Sequence, residues 1–478
     1  MASLTAQLTR RKPLRTATSG HHGPDLSRSI GTFQLMMFGV GATVGTGIFF
    51  VLQEAVPDAG PAVIVSFLVA GLGAGLSALC YAEIASAIPV SGSTYSYAYH
   101  AFGEVVAMGI AACVLLEYGV SSAAVAVGWS GYLNELLDNI VGWHLPDALS
   151  YSPVPYEDNT TGWVNLPALL LVAMCTVLLV RGASESARVN TIMVVIKLGV
   201  LLMFVAIALT AWESDHFAGF WDAGPSGISA AAATIFFSFI GLDAVSTAGE
   251  EVRDPQRALP RAIMGALAVV ITVYVLIAVA GLSAQPAEDF SDPEQQSAGL
   301  SVILENVTGS TITPTILAAG AVVSIFSVTL VTLYGQTRIL FAMGRDGMLP
   351  DRFASVDPRT LTPTFNTIVC GSVVALIGGF VPADYLWDTV SIGTLVAFIV
   401  VATGVIVLRR TQPDLERPFR VPLFPVVPVL TVAVCIYILS GIAAVTWIIF
   451  GCWLTVVLGF YLVWGRHHAV LGREKVSS

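Results

Sequence analysis

Charge is scarce in this chain. Only 11% of its 478 residues are Asp, Glu, Lys or Arg, against about 25% in a soluble domain. Hydrophobic residues make up 55%, and mean hydropathy is +0.79. Too few charges remain to coat a water-facing surface, so the expected solvent is lipid. Cysteine is sparse as well. The six present (Cys80, Cys113, Cys175, Cys370, Cys435 and Cys452) all fall in apolar runs without metal-ligand spacing. They read as small apolar residues, and neither a zinc site nor a disulfide is expected. The basic residues form no stripe, so nucleic acid is not an expected partner. Nucleotide-loop, metal-cluster and triad spacings are missing too. The expectation is therefore no enzyme and no cofactor. Residues 1–32 are polar and basic (Arg10, Arg11, Lys12, Arg15, Arg28). They lack the apolar run and cleavage site of a signal peptide and read as a mobile tail.

What the chain has in quantity is apolar length. Twelve runs, 33–52, 62–88, 103–133, 164–181, 189–212, 228–249, 262–283, 314–342, 364–381, 385–408, 425–442 and 446–464, match the roughly 20 residues a helix needs to cross a bilayer. A barrel would show alternating segments of about 10 residues, and these do not dominate. The expected fold is an all-α polytopic membrane protein with 12 transmembrane helices. Of the 22 lysines and arginines, all but Lys197 fall in segments on one side of such a topology. The positive-inside rule then places both termini in the cytoplasm, and an inner (plasma) membrane location is expected.

Two runs look interrupted. The first holds "GVGATVGTGIFF" (39–50), with Gly39, Gly41, Gly45 and Gly47 close together. Each glycine costs about 1 kcal/mol relative to alanine inside a helix. "GATVG" taken alone equally fits close helix packing. The sixth run holds "FFSFIGLDAVSTAGEE" (236–251), where Gly241 precedes Asp243. Discontinuous helices at corresponding places in two halves mark inverted-repeat transporters, and the pairing favours unwinding in both. The repeats would be 33–212 and 228–408 within a core of 33–466. Two added helices would occupy 425–466, and 467–478 would form a cytoplasmic tail.

Four stretches carry a resemblance: "GVGATVGTGIF", "YAEIASAIPVSGSTYSYAYHAFGE" (81–104), "SFIGLDAVSTAGEEVRDPQRALPRAI" (238–263) and "LYGQTRILFAMGRDGMLP" (333–350). Together they resemble the amino acid–polyamine–organocation superfamily, more closely its cationic amino acid transporter family and the bacterial proton-coupled homologues. The resemblance covers about residues 30 to 466. It implies a LeuT-like five-plus-five inverted repeat, alternating access and an amino acid substrate.

An amino acid is a zwitterion, and a broken helix offers both partners it needs. Free N–H groups after the break suit the carboxylate, and free carbonyls before it suit the ammonium. This places the carboxylate near Gly45, Thr46 and Gly47, and the ammonium near Thr43, Phe237 and Ile240, positions that the family's motifs share. By the resemblance, Phe237 is also the aromatic gate. Glu117, in "CVLLEYGVSS" (113–122), is a carboxylate at membrane depth and so a functional candidate by default. It would either attract a cationic substrate side chain or make a structural hydrogen bond. By a looser match, Ser327 lines the substrate side chain and leaves it room.

Lys197 is the exception to the charge pattern. It lies nine residues from Arg188, about 13 Å along a helix, towards the middle of a hydrocarbon core about 30 Å thick. Snorkelling over that distance is strained. One expectation is a fixed ion pair, for which Glu117 is a conceivable partner. The other starts from burial, which disfavours a charged amine and so makes proton exchange accessible. In sodium-coupled members of the resembled fold a sodium ion sits between the first and eighth spans. In similar proton-coupled members a fifth-span lysine takes that place, and Lys197 matches its position. The reading favoured here is a proton-coupling lysine in a symporter of cationic and/or small neutral amino acids, with the substrate, protons and the lipid bilayer as partners. A small accessory membrane helix is not readable from sequence. A proton-independent exchanger and a non-transporting sensor are the alternatives. A sensor usually carries an added cytoplasmic domain, and here the tails are about 32 and 12 residues. Glu83 and Arg338 are expected to pair at an inner gate. Glu250 and Glu251 are expected in a solvated network with Arg253 and Arg257.

Overall fold

The computed structural model describes residues 10–13, 26–45, 47–154, 161–291, 299–381, 384–440, 442 and 444–472. Among them regular structure is helical, apart from one isolated parallel bridge between Ile30 and Val252. The principal helices are α1 (Thr32–Thr43), α2 (Gly47–Ala59), α3 (Val63–Ala87), α4 (Ser93–Ala101), α5 (Glu104–Val141) and α6 (Leu166–Arg181). They continue with α7 (Ala183–Ala208), α8 (Gly224–Phe236), the single-turn α9 (Ala244–Thr247), α10 (Pro255–Ala284) and α11 (Leu300–Thr308). The last are α12 (Ile312–Arg345), α13 (Thr364–Phe380), α14 (Asp384–Thr411), α15 (Val426–Leu439) and α16 (Ala444–Phe460). Among the described residues eight helical stretches are long and apolar enough to cross a bilayer, and α6, α13 and α15 are shorter apolar helices. The chain is a polytopic membrane protein.

Local chemistry sets several boundaries. Helix α5 starts after Gly103, whose φ of +106° turns the chain, and stops at Gly142, left-handed at φ +62°. Asn165 caps α6 by accepting the Ala168 N–H at 3.0 Å. Large apolar side chains such as Ile192, Val195, Ile196 and Leu202 on α7 and Val445, Ile448 and Val456 on α16 stay exposed. That is the perimeter expected where lipid replaces water.

Helix α12 lies along α5, α10 along α3, α13 along α6 and α8 along α2. Across these pairs, α1 packs on α10 and α8 on α3, while α14 packs on α5 and α12 on α7. Among the long apolar stretches, those of α5 and α12 are the most enclosed and that of α16 the least.

Part of the N-terminal tail is tied down. The Arg10 Nε lies 3.0 Å from Glu104 Oε1, and Lys12 reaches Asp346. His100 Nδ1 lies 2.7 Å from the Lys12 carbonyl. Burial, then the Lys12 charge, pushes this histidine down to about 4, so its neutral ring donates Nδ1–H to that carbonyl. The expectation of a mobile tail therefore fails for residues 10–13. The rest of 1–25 lies outside the described residues.

The charged ends pair differently from expectation. Glu83 accepts from Arg409 Nε at 2.8 Å and from the Val421 N–H at 2.7 Å, with Arg417 Nε 3.6 Å away. Arg338 instead donates Nε–H to Glu251 at 2.9 Å, and Tyr334 donates its hydroxyl to the same carboxylate at 2.8 Å. The reason is adjacency. Helix α14 lies beside α3, whereas α12 faces α9. Nor does Glu251 belong to a solvated network, whereas Glu250 stays partly exposed. Glu251 and Arg338 are both fully buried, and Glu250 pairs with Arg345 and with the Ser91 N–H and hydroxyl. Burial works against the Glu250 charge, but Arg345 and Ser91 outweigh it and hold its carboxyl below the usual range. Arg253 and Arg257 are exposed to solvent.

Candidate functional site

Two chain breaks face each other at the centre of the fold. The first separates α1 from α2, and the second separates α8 from α9. They touch at Gly241, whose φ is +110° and where an added Cβ would lie 2.8 Å from the Ala42 carbonyl oxygen. Only glycine fits both constraints. The glycine run before the first break divides its work. Gly39 and Gly41 stay helical and admit close neighbours, since a Cβ would come within 2.7 Å of Ala266 at one and of Asn190 at the other. Gly45 and Gly47 bracket the break itself. Packing and unwinding thus both account for the run, at different glycines.

A broken helix leaves carbonyls without partners, which costs several kcal/mol in a membrane unless protein groups replace them. Here they are replaced. The Tyr274 hydroxyl on α10 lies 3.1 Å from the Thr43 carbonyl and 3.0 Å from that of Ser238, so one group spans both breaks. Ser324 donates to the Val44 carbonyl at 2.9 Å. Lys197, fully buried on α7, donates to the Gly41 carbonyl at 2.9 Å, the Val44 carbonyl at 2.6 Å and Ser327 Oγ at 3.5 Å. Ser327 sends its own proton to Asn190 Oδ1 at 2.8 Å, and Asn190 Nδ2 donates to the Met37 carbonyl at 3.0 Å. Ser327 therefore turns a lone pair towards Lys197. The amine meets three acceptors, the number of donors an ammonium carries. A neutral amine has one donor fewer and a lone pair to place among oxygens. Losing the proton weakens this cradle.

The structure gathers Lys197 and Ser327 at the first break, but it does not join Lys197 to Glu117. Among the described residues the ion pairs are elsewhere. Glu117 instead accepts from Thr394 on α14 and lies within electrostatic reach of Asp243. Thr43 and Gly45 are buried, and the Gly45 N–H turns back to the Thr43 carbonyl at 2.9 Å. Gly47 leads α2, with Ser238 Oγ 2.9 Å from where its Cβ would be. Thr46 lies outside the described residues. Phe237 is 38% exposed, and its carbonyl accepts the Ile240 N–H at 3.2 Å. Asn190, Ser324 and Tyr274 were not singled out from sequence. Asn190 lies seven residues before Lys197 and Ser324 three before Ser327, helical spacings that put each on its partner's face. Tyr274 had no such signal.

Replacing Tyr274 with Phe removes the donor that both breaks share. At about 1 kcal/mol per neutral hydrogen bond, Tyr274→Phe is expected to weaken apparent substrate affinity roughly five- to tenfold while the protein still folds. Substrate titration of uptake checks this, and an unchanged half-saturation would show that the bridge is dispensable.

A family model for amino acid permeases matches residues 30–463. The methylthioribose transporter of Bacillus subtilis (strain 168) is 38% identical over 98% of this chain and 100% of its own length. The branched-chain amino acid permease BcaP of the same organism is 40% identical over 96% of this chain and 97% of its own. The vacuolar cationic amino acid transporter 2 of Arabidopsis thaliana is 37% identical over 86% of this chain, which spans 64% of that longer protein.

Proposed function

Because the chain belongs to the amino acid permease family, and is a transporter rather than an enzyme, we propose that it moves an amino acid together with a proton by alternating access. The architecture proposed for this is a 12-helix LeuT-like inverted repeat in the inner membrane with both termini cytoplasmic. Two observations support it. Exchanging α1–α2 for α8–α9, α3 for α10, α5 for α12, α6 for α13 and α7 for α14 leaves the neighbour pattern described above unchanged, as a repeat requires. Every lysine and arginine except Lys197 falls on the proposed inner side.

The coupling residue is Lys197, and its cradle carries the reading. A charged amine satisfies three acceptors on α1 and α12 and so holds these helices together. Losing the proton loosens them. The oxygen-only surroundings would suit a hard cation, and the lysine amine stands in that place. The substrate sits between the breaks, with its carboxylate at the head of α2 and its ammonium at the carbonyls near Thr43, Phe237 and Ile240. Phe237 closes over it.

Uptake into sodium-free proteoliposomes, with and without an inward proton gradient, tests this. The panel holds leucine, alanine, arginine and methylthioribose, because the relatives are named for different cargoes. Gradient-stimulated uptake of an amino acid is expected. Exchange that needs no gradient would replace the symporter with an exchanger.

A further inference from the structure

Two buried acids beside the breaks have no cation paired with them among the described residues. Glu117 on α5 is 4% exposed and Asp243, between α8 and α9, is 3% exposed. The Tyr118 hydroxyl, next in sequence to Glu117, donates to Asp243 Oδ2. Thr394 donates to Glu117. Glu117 Oε2 and Asp243 Oδ1 are buried without a hydrogen-bond partner. The titratable groups facing the pair are Tyr118 and Cys113 from α5, Tyr81 from α3 and Tyr97 from α4. Among the described residues no ion pair reaches either acid. Two adjacent carboxylates cannot both keep their charge in such a place.

Their surroundings differ. Asp243 borders a cavity of about 10 Å³ with Ser77 and Tyr81, space for roughly one water. Glu117 faces the backbone of α14 at Gly393, where an added Cβ would lie 3.3 Å from its own. Asp243 therefore has the better means of holding a negative charge.

We infer that Glu117 and Asp243 form a second proton site, in which Glu117 holds the proton and Asp243 is ionised. A row of hydroxyls starts at Tyr81, which lines the cavity beside Asp243. The Tyr81 hydroxyl lies 2.8 Å from Thr94 Oγ1, Ser93 Oγ lies 3.5 Å from Thr94 and 2.6 Å from Ser246, and Ser91, two residues on, binds Glu250. The Glu250 side chain is 21% exposed. On release, the Glu117 O–H bond breaks, its electron pair stays on the carboxylate, and the proton is taken up by water, with the Tyr81, Thr94 and Ser93 hydroxyls covering part of the way to the partly exposed Glu250. While protonated, Glu117 offers a substrate side chain a donor rather than a charge. The transport role of this site rests on the proton-coupled reading above, but its protonation does not.

Infrared difference spectroscopy on the full chain in lipid nanodiscs tests the protonation directly. At neutral pH the wild type is expected to show a protonated-carboxyl C=O band that Glu117→Gln removes. In Asp243→Asn the neighbouring charge is gone, so the band should persist and titrate away at lower pH. In Thr94→Val its exchange in deuterated water should slow several-fold. A wild type without the band, or a band unchanged in Glu117→Gln, overturns the inference. If the band is present but a proton gradient drives no uptake, symport fails and the proton site stands. If uptake is proton-driven without the band, Lys197 alone carries the proton and the second site fails.

Discussion

Lys197→Ala is expected to abolish the pH dependence of uptake and to leave about a tenth or less of the wild-type rate. The substitution strips the donor from the Gly41 and Val44 carbonyls and from Ser327. Val44 keeps its bond from Ser324 and Ser327 its bond to Asn190, so the Gly41 carbonyl bears most of the loss, at about 1–3 kcal/mol for a buried acceptor left unpaired, and α1 loosens from α12. The sign of the wild-type profile follows from the same contacts. On the proposed mechanism the protonated amine holds the outward-facing state, so uptake is expected to fall as external pH rises and fewer amines are charged. Lys197→Ala removes the group that titrates, and its residual uptake should be flat. Lys197→Arg gives a complementary result, because a guanidinium stays charged. It should bind substrate yet fail to release into the inner compartment. Proteoliposome uptake across a series of external pH values decides the matter. A Lys197→Ala protein that keeps the wild-type profile would remove the lysine from the coupling mechanism.

Glu251→Ala is expected to lower stability by about 3–5 kcal/mol, the usual result of orphaning one partner of a buried ion pair. Arg338 is fully buried and would lose the carboxylate that neutralises it. Tyr334 loses its acceptor as well. The damage should be directional. This pair ties the chain after α9 to the inner half of α12. The Ile30–Val252 bridge holds the entry to α1 at the same point, with the Ile30 N–H on the Glu251 carbonyl at 3.0 Å. Freeing it should open the cytoplasmic side. Two measurements check this: the melting temperature in detergent, and labelling of a cysteine introduced by Thr247→Cys, buried in the wild type, by a reagent on the cytoplasmic side. Glu251→Gln should fall between, because the amide keeps one acceptor for Tyr334 or Arg338. A normal melt together with unchanged labelling would reduce this pair to an ordinary structural contact.

Sequence made the breaks legible because glycines cluster where regular helix is hardest to keep. It made Lys197 legible because an ammonium has no ordinary reason to stand in the middle of an apolar run. Both signals are local in the chain. The partners of these features are not local. Tyr274 reaches the Thr43 carbonyl across 231 positions and Ser324 reaches the Val44 carbonyl across 280, and spacing carries no trace of such contacts. The same limit explains the misassigned ion pairs. Glu83, Glu250, Glu251, Arg338 and Arg409 all lie near or just past the C-terminal ends of their helices, and only the packing of α14 on α3 and of α9 on α12 decides which acid meets which base. Asp243 stood in plain view beside Gly241, but its relation to Glu117 depends on Tyr118, whose reach is a tertiary fact.

The Tyr274 hydroxyl has a consequence for how the molecule must move. It has one proton and faces two carbonyls, one from each interrupted helix. Drawing either helix away changes the hydrogen bonding left to the other, so the energies of the two displacements do not add. When one helix leaves, the shared proton goes wholly to the carbonyl of the other, so the first separation costs less hydrogen bonding than the second. Two hinges joined in this way can move in turn, because the shared donor still holds whichever helix has not yet moved.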